Sequence, residues 1–148
     1  MRFAIFLAGL MLTVAQAGYA ADLAAGKKVF TKCRACHAVG ENAKNKVGPH
    51  LNGILGRPWG AVEGFKYSSG KDGTLISLKE AEPRVWDVET LSAYLRKPKG
   101  VIPRSKMEFP GLRDDADVTN VIYYLAQFDA EGNEVDPDAV LDALAATD

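Results

Sequence analysis

Cysteine, histidine and methionine are scarce in this 148-residue chain, at two, two and three residues. Two cysteines allow at most one disulfide, which excludes a small scaffold held together by cross-links. There is no charge excess either: 18 basic residues stand against 19 acidic ones, and 47% of the chain is hydrophobic. That balance excludes a disordered, collagen-like or polytopic membrane protein and fits one globular domain. Clean apolar/polar alternation is missing too, so strands have little support. No internal repeat or low-complexity tract of any length is present.

The N-terminus carries the one hydrophobic run of note. Arg2 precedes a mostly apolar, uncharged stretch from Phe3 to Ala15, and Gly18-Tyr19-Ala20 supplies small residues. Such a run is shorter than the ~20 residues a membrane-spanning helix needs. Residues 1–21 therefore read as a signal peptide, cleaved near Ala20 or Ala21 or at Ala17, with an uncleaved anchor as the alternative. Export then places the protein in the periplasm.

The remaining charge is divided. Residues 129–148 hold seven acids (Asp129, Glu131, Glu134, Asp136, Asp138, Asp142, Asp148) and no base, whereas residues 22–128 carry 17 bases against 12 acids. A basic body ends in an acidic tail.

Short helices separated by Gly/Pro-rich loops account for the body. Helical spacing joins Leu23, Gly26, Val29 and Phe30 ahead of Cys33. Asp87 is placed to cap a helix bearing Leu91, Tyr94 and Leu95 that stops before Pro98. Asp114, Asp115 and Asp117 precede the strongest helical pattern, Val118, Val121, Ile122, Leu125 and Phe128. Asp136-Pro137 opens a last short helix with Val140, Leu141 and Leu144. From Gly40 to Lys71 the glycines are too frequent for a regular element, which predicts a long ordered loop that packs on something other than itself.

Both cysteines lie in Cys33-Arg34-Ala35-Cys36-His37. In an exported chain this spacing reads as covalent haem attachment, with two thiols to bond the porphyrin and an adjacent imidazole to bind its iron. The alternatives are a dithiol redox pair, which belongs in a thioredoxin-like βαβ setting, and a zinc half-site, which lacks further cysteines. The iron's sixth position decides between electron transfer and binding of a gas or substrate. After export, Met107 is the only methionine and His50 the only second histidine. A lone methionine is usually core filling. Met107, however, lies in the irregular polar run Pro103–Gly111, and it is the favoured ligand over His50 or an open site.

The motifs together resemble a known family, the class I c-type cytochromes, and among them the bacterial cytochrome c2 and c-550 group with its mitochondrial relatives. The resemblance runs from about Gly26 to Phe128. It rests on Gly26 and Phe30, Cys33 to His37, Gly48-Pro49 with Asn52 to Arg57, Gly64-Phe65-Lys66-Tyr67, Trp86, Glu89-Thr90-Leu91 with Tyr94-Leu95 and Pro98-Lys99, Ser105-Lys106-Met107 with Phe109, and Tyr124-Leu125. It implies an all-α class I cytochrome c fold, three to five short helices and long loops wrapped around one haem c, over residues 22–128. His37 and Met107 would be the axial ligands, and the Pro49 carbonyl would accept the imidazole N–H of His37. Arg57, Tyr67 and Trp86 would lie near the haem propionates, and Tyr94 near the Met107 sulfur. Gly26, Phe30, Tyr124 and Leu125 would join the first and last helices of the body.

An apolar shell from Phe30, Leu51, Leu55, Leu91, Leu95, Leu112, Val121 and Leu125 would exclude water from the cofactor. Lys28, Lys32, Lys44, Lys46, Lys99 and Lys106 flank the ligand segments and, by the resemblance, would ring an exposed haem edge and steer the protein onto acidic partners. The implied activity is one-electron carriage by a monomer, with no catalysis, between a quinol–cytochrome c reductase and an oxidase, a photosynthetic reaction centre or a denitrification enzyme. Neither nucleic acid nor stable membrane insertion enters this reading. The competing function is a haem enzyme or gas sensor with an open or displaceable sixth site. Two features depart from the shortest family members: the longer Asp72–Pro83 segment and the acidic tail, for which a solubility role is expected.

Overall fold

The computed structural model describes residues 20–147, so the signal-peptide reading, apart from its last two residues, lies outside the described part. Among these residues six helices follow in order: α1 (Leu23–Phe30), α2 (Leu75–Ala81), α3 (Val88–Arg96), α4 (Pro98–Val101), α5 (Asp115–Ala126) and α6 (Pro137–Ala145). Among the described residues, β pairing is limited to isolated bridges, Pro58 with Val85 and Phe128 with Glu134.

Asx and hydroxyl caps set the helix starts. The side chains of Asp22, Thr74, Asp87, Asp114 and Asp136 each accept a backbone N–H in the first turn of α1, α2, α3, α5 and α6. Asp115 and Asp117 add negative charge at the α5 N-terminus, where the helix dipole favours it. Pro98 ends α3 and opens α4 at a position whose N–H has no helical partner.

Two elements go beyond the sequence pattern. α4 is a single turn, and α2 arises in the Asp72–Pro83 segment. α2 forms because its surroundings support it: Ser68 Oγ accepts the Leu75 N–H at 2.9 Å, and Leu75 and Ile76 lie against the Gly60 corner. The Gly40–Lys71 stretch contains no helix, as its glycines predicted.

The body is organised on the crossing of α1 and α5. Gly26 sits where a Cβ would overlap the Asn120 carbonyl oxygen and stand 2.7 Å from Tyr124 Cβ. Only glycine permits that approach. Asp22 N donates to Asn120 Oδ1 at 2.9 Å, and Phe30 meets Tyr124 with ring centroids 5.4 Å apart, a contact of about 0.5–1.5 kcal/mol beyond area burial. Val118, Val121, Ile122 and Leu125 of α5 are buried with Leu91 and Leu95 of α3, Leu112 and Ile102. Of the apolar shell named above, Leu51 and Leu55 are half-buried against this cluster and the other six are buried.

Candidate functional site

Residues 31–36 continue from α1 as a run of turns, with Cys33 N donating to Phe30 O at 2.8 Å and His37 N to Cys33 O at 2.9 Å. This coil presents both cysteines, half-buried and one turn apart, with His37 directly after them. Burial pushes the Cys33 thiol up to about 11, against a smaller opposing pull from Lys32. A dithiol redox centre depends on a lowered thiol pKa, so this environment speaks against that alternative.

His37 is held on one side. Its Nδ1 is 2.7 Å from the Pro49 carbonyl, which only accepts, so Nδ1 carries the proton and Nε2 presents its lone pair. Burial lowers its pKa, the Pro49 bond opposes this, and Lys46 and Arg57 add to the lowering. A neutral imidazole is the form that binds metal. A Cβ on Gly48 would overlap the ring and stand 2.8 Å from both nitrogens, so the absence of a side chain there makes room for the imidazole.

Met107 lies in the loop after α4, half-buried against the core cluster. Tyr94 Oη donates to its sulfur at 3.4 Å and is 3.0 Å from Ser105 Oγ, while the Met107 N–H donates to the same Ser105 Oγ at 3.1 Å. One hydroxyl thus organises both the backbone and the side chain around the thioether. Burial raises the Tyr94 pKa, which keeps its hydroxyl proton in place.

Of the other expected site residues, Arg57 joins the His37 group and Trp86 the Met107 group, while Tyr67 is tied within its own loop. Arg57 Nη1 donates to the carbonyls of Asn52 at 2.9 Å and His50 at 3.2 Å, stitching together the loop that carries Pro49. Tyr67 Oη accepts the Val62 N–H at 3.3 Å, and its pKa is raised by burial. Trp86 is buried and packs on Tyr94 with centroids 5.0 Å apart. It also stacks on Trp59 at 4.8 Å, and the Arg84 guanidinium lies 5.6 Å from the Trp59 ring centroid. An aromatic column therefore runs from Arg84 through Trp59, Trp86 and Tyr94 to the Met107 sulfur. Trp59, 1% exposed, is the member that sequence reasoning missed, because it stands in a glycine-rich stretch with no periodicity to mark it as core. His50 is half-buried, tied into the loop by its backbone N–H to Asn45 Oδ1 at 3.1 Å, and its Nδ1 is buried without a partner among the described residues.

The six lysines near the ligand segments are all exposed, but two of them face carboxylates of the chain itself. Lys32 pairs with Asp117 and Lys99 with Glu108, both at 2.8 Å. Exposed pairs of this kind contribute about 0–1 kcal/mol, so neither carboxylate holds its lysine strongly.

The donor set suits one particular group: two adjacent thiols on a helical coil, a neutral imidazole with Nε2 free, and an oriented thioether. Fold and site together define a helical protein that binds haem covalently. The Cytochrome c family model matches residues 23–129, and the chain belongs to that family, within its class I bacterial c2/c-550 group. It is 50% identical to a cytochrome c-550 of Ancylobacter novellus over 113 residues, 75% of this chain and 99% of the relative. It is 41% identical to a cytochrome c2 of Blastochloris viridis over 136 residues, 90% of this chain and 99% of the relative. The solved structure of cytochrome c2 from Rhodospirillum centenum superposes with a TM-score of 0.64 at 36% identity, covering 73% of this chain and 98% of that one. One haem c is bound covalently through Cys33 and Cys36. Among the described residues no helix is long and apolar enough to cross a membrane.

Proposed function

We propose that this haem c electron carrier is a monomeric periplasmic shuttle, exported by residues 1–21, whose iron is ligated by His37 and Met107. The observation that carries the reading is that each candidate ligand is oriented through an atom or lone pair that ligation does not use. Pro49 holds His37 through Nδ1, and Tyr94 engages one of the two lone pairs of the Met107 sulfur. When bound, such a haem takes up and releases one electron, and thioether ligation favours its reduced state. The chain's own residues supply the rest. The buried side chains of α3 and α5 exclude water, which disfavours the more highly charged oxidised form. The aromatic column fixes Tyr94, and the loop bearing Pro49 fixes the imidazole.

In this reading the basic body docks on acidic patches of its partners, a quinol-oxidising reductase on one side and an oxidase, reaction centre or denitrification enzyme on the other. The relatives, cytochromes c2 and c-550, support redox proteins as the class of partner. The bimolecular electron-transfer rate with an acidic partner is expected to fall steeply as ionic strength rises. A salt-independent rate contradicts docking through Lys28, Lys32, Lys44, Lys46, Lys99 and Lys106.

The ligand set is tested by the spectrum of the wild-type ferric protein. Low-spin iron with a weak sulfur charge-transfer band in the red, and a ferrous form inert to carbon monoxide, are expected. High-spin iron or tight binding of carbon monoxide would establish the open-site enzyme or sensor instead.

A further inference from the structure

The C-terminal extension does more than add negative charge. The turn segment that carries His37 and the loop that carries Pro49 run side by side, joined rung by rung. Gly48 N donates to Cys36 O at 2.9 Å, His37 Nδ1 to Pro49 O at 2.7 Å, and Leu51 N to Ala38 O at 2.9 Å. The last rung is double: Gly40 N donates to Asn52 Oδ1 at 2.8 Å, and Asn52 Nδ2 returns to Gly40 O at 2.9 Å. Asn52 is only 4% exposed, so the side chain that makes this rung is shielded from water. What shields it is the extension.

A Cβ on Gly132 would overlap Gly40 O and stand 2.5 Å from Asn52 Nδ2, so residue 132 lies directly on the double rung. Beside it, a Cβ on Gly53 would lie 2.9 Å from Ala130 Cα, and Gly53 N donates to Phe128 O at 3.0 Å. Farther along, Leu144 of α6 reaches Gly56, where a Cβ would be 3.2 Å from its Cδ2. The Asp129–Asn133 turn that delivers Gly132 is itself fastened, with Asn133 N and Nδ2 donating to the Asp129 carboxylate at 2.8 and 2.9 Å.

We propose that the extension from Asp129 to Ala145 is a clamp that positions the proximal histidine: by covering the Gly40–Asn52 rung it keeps the Pro49 carbonyl on His37 Nδ1. This rests on the reading of His37 as an iron ligand and gives the tail a role in that same site. The physical need is plain, because a loop with Gly48, Gly53 and Gly56 loses much conformational entropy on ordering and opens locally unless covered. Since the rungs are consecutive, releasing the covered end frees Leu51 and then Pro49.

The test uses the full-length holoprotein and hydrogen exchange followed by NMR. Gly132→Val wedges the clamp away, Leu144→Ala weakens its docking at the far end, and Asp142→Asn changes only an exposed charge on α6. In the first two variants, exchange at the Gly40, Gly48 and Leu51 amides and at His37 Nδ1–H is expected to accelerate at least tenfold, while the interior amides of α1 and α5 and the whole Asp142→Asn variant keep wild-type rates. Leu144→Ala keeps the test decisive where Gly132→Val fails to fold. Wild-type exchange at His37 Nδ1–H in a variant whose Gly40 amide has been released overturns the clamp, as does uniform acceleration that includes α1 and α5. The underlying reading fails by a different sign, a His37→Ala holoprotein whose haem spectrum is unchanged.

Discussion

Replacing Met107 by alanine is expected to abolish the red sulfur charge-transfer band and to lower the midpoint potential by roughly 0.2 V, about a quarter of the ~0.8 V over which axial ligands set haem potentials. The size of the effect follows from how little can compensate. No other methionine lies within residues 22–148, so no second thioether is available. A soft sulfur ligand stabilises the reduced state, and its removal also opens the site to water, which stabilises the oxidised one. Both changes act in the same direction. Tyr94→Phe, which removes only the hydroxyl 3.4 Å from the sulfur, is expected to retain the band and shift the potential far less. Redox titration with optical detection measures both variants, and an unchanged band and potential in Met107→Ala would remove Met107 from the ligand set.

The second large effect concerns stability. Gly26→Ala forces a methyl group into the Asn120 carbonyl and against Tyr124 Cβ at the α1–α5 crossing. Both obstacles are held by helix backbone, so the helices themselves must part. Overpacking of this kind costs about 3 kcal/mol, and at ~4 °C per kcal/mol the holoprotein's Tm should drop by about 12 °C. Parting the helices also strains the Asp22–Asn120 bond and the Phe30–Tyr124 contact. Gly100→Ala is the matched control: a Cβ there meets only the flexible Lys97 side chain at 3.0 Å, in a helical turn where alanine is preferred. It should change stability by less than about 1 kcal/mol, with a stabilising sign. Calorimetry in which the two variants differ by less than 1 kcal/mol would contradict the close crossing.

Four helices could be read from the sequence because their information is local. Asp22, Asp87, Asp114 and Asp136 cap them, and the apolar spacing of α1, α3 and α5 continues without interruption behind each cap. α2 could not be read in this way. Only Leu75 of its seven residues is buried, and the partners that hold it, Ser68 and the Gly60 corner, come from an irregular stretch of chain. The charge pattern was legible as a basic body with an acidic tail, but not the pairing of Lys32 with Asp117 or of Lys99 with Glu108. Those partners are 85 and 9 residues apart, and nothing in the sequence brings them together.

Covalent haem attachment was legible from residue type and spacing, and the proposed ligation from residue counts. Covalent attachment needs two thiols three positions apart with an imidazole next to them, and ligation needs donor atoms so few in this chain that counting them singles out Met107 as the candidate sixth ligand. Orientation is another matter. That Nδ1 and not Nε2 of His37 meets Pro49, that Tyr94 reaches the sulfur through its hydroxyl, and that Gly132 closes over the Gly40–Asn52 rung are facts of tertiary structure. Hydrogen bonds between distant segments depend on ångström-scale distances and angles, and these exist only once the core has fixed the elements relative to one another.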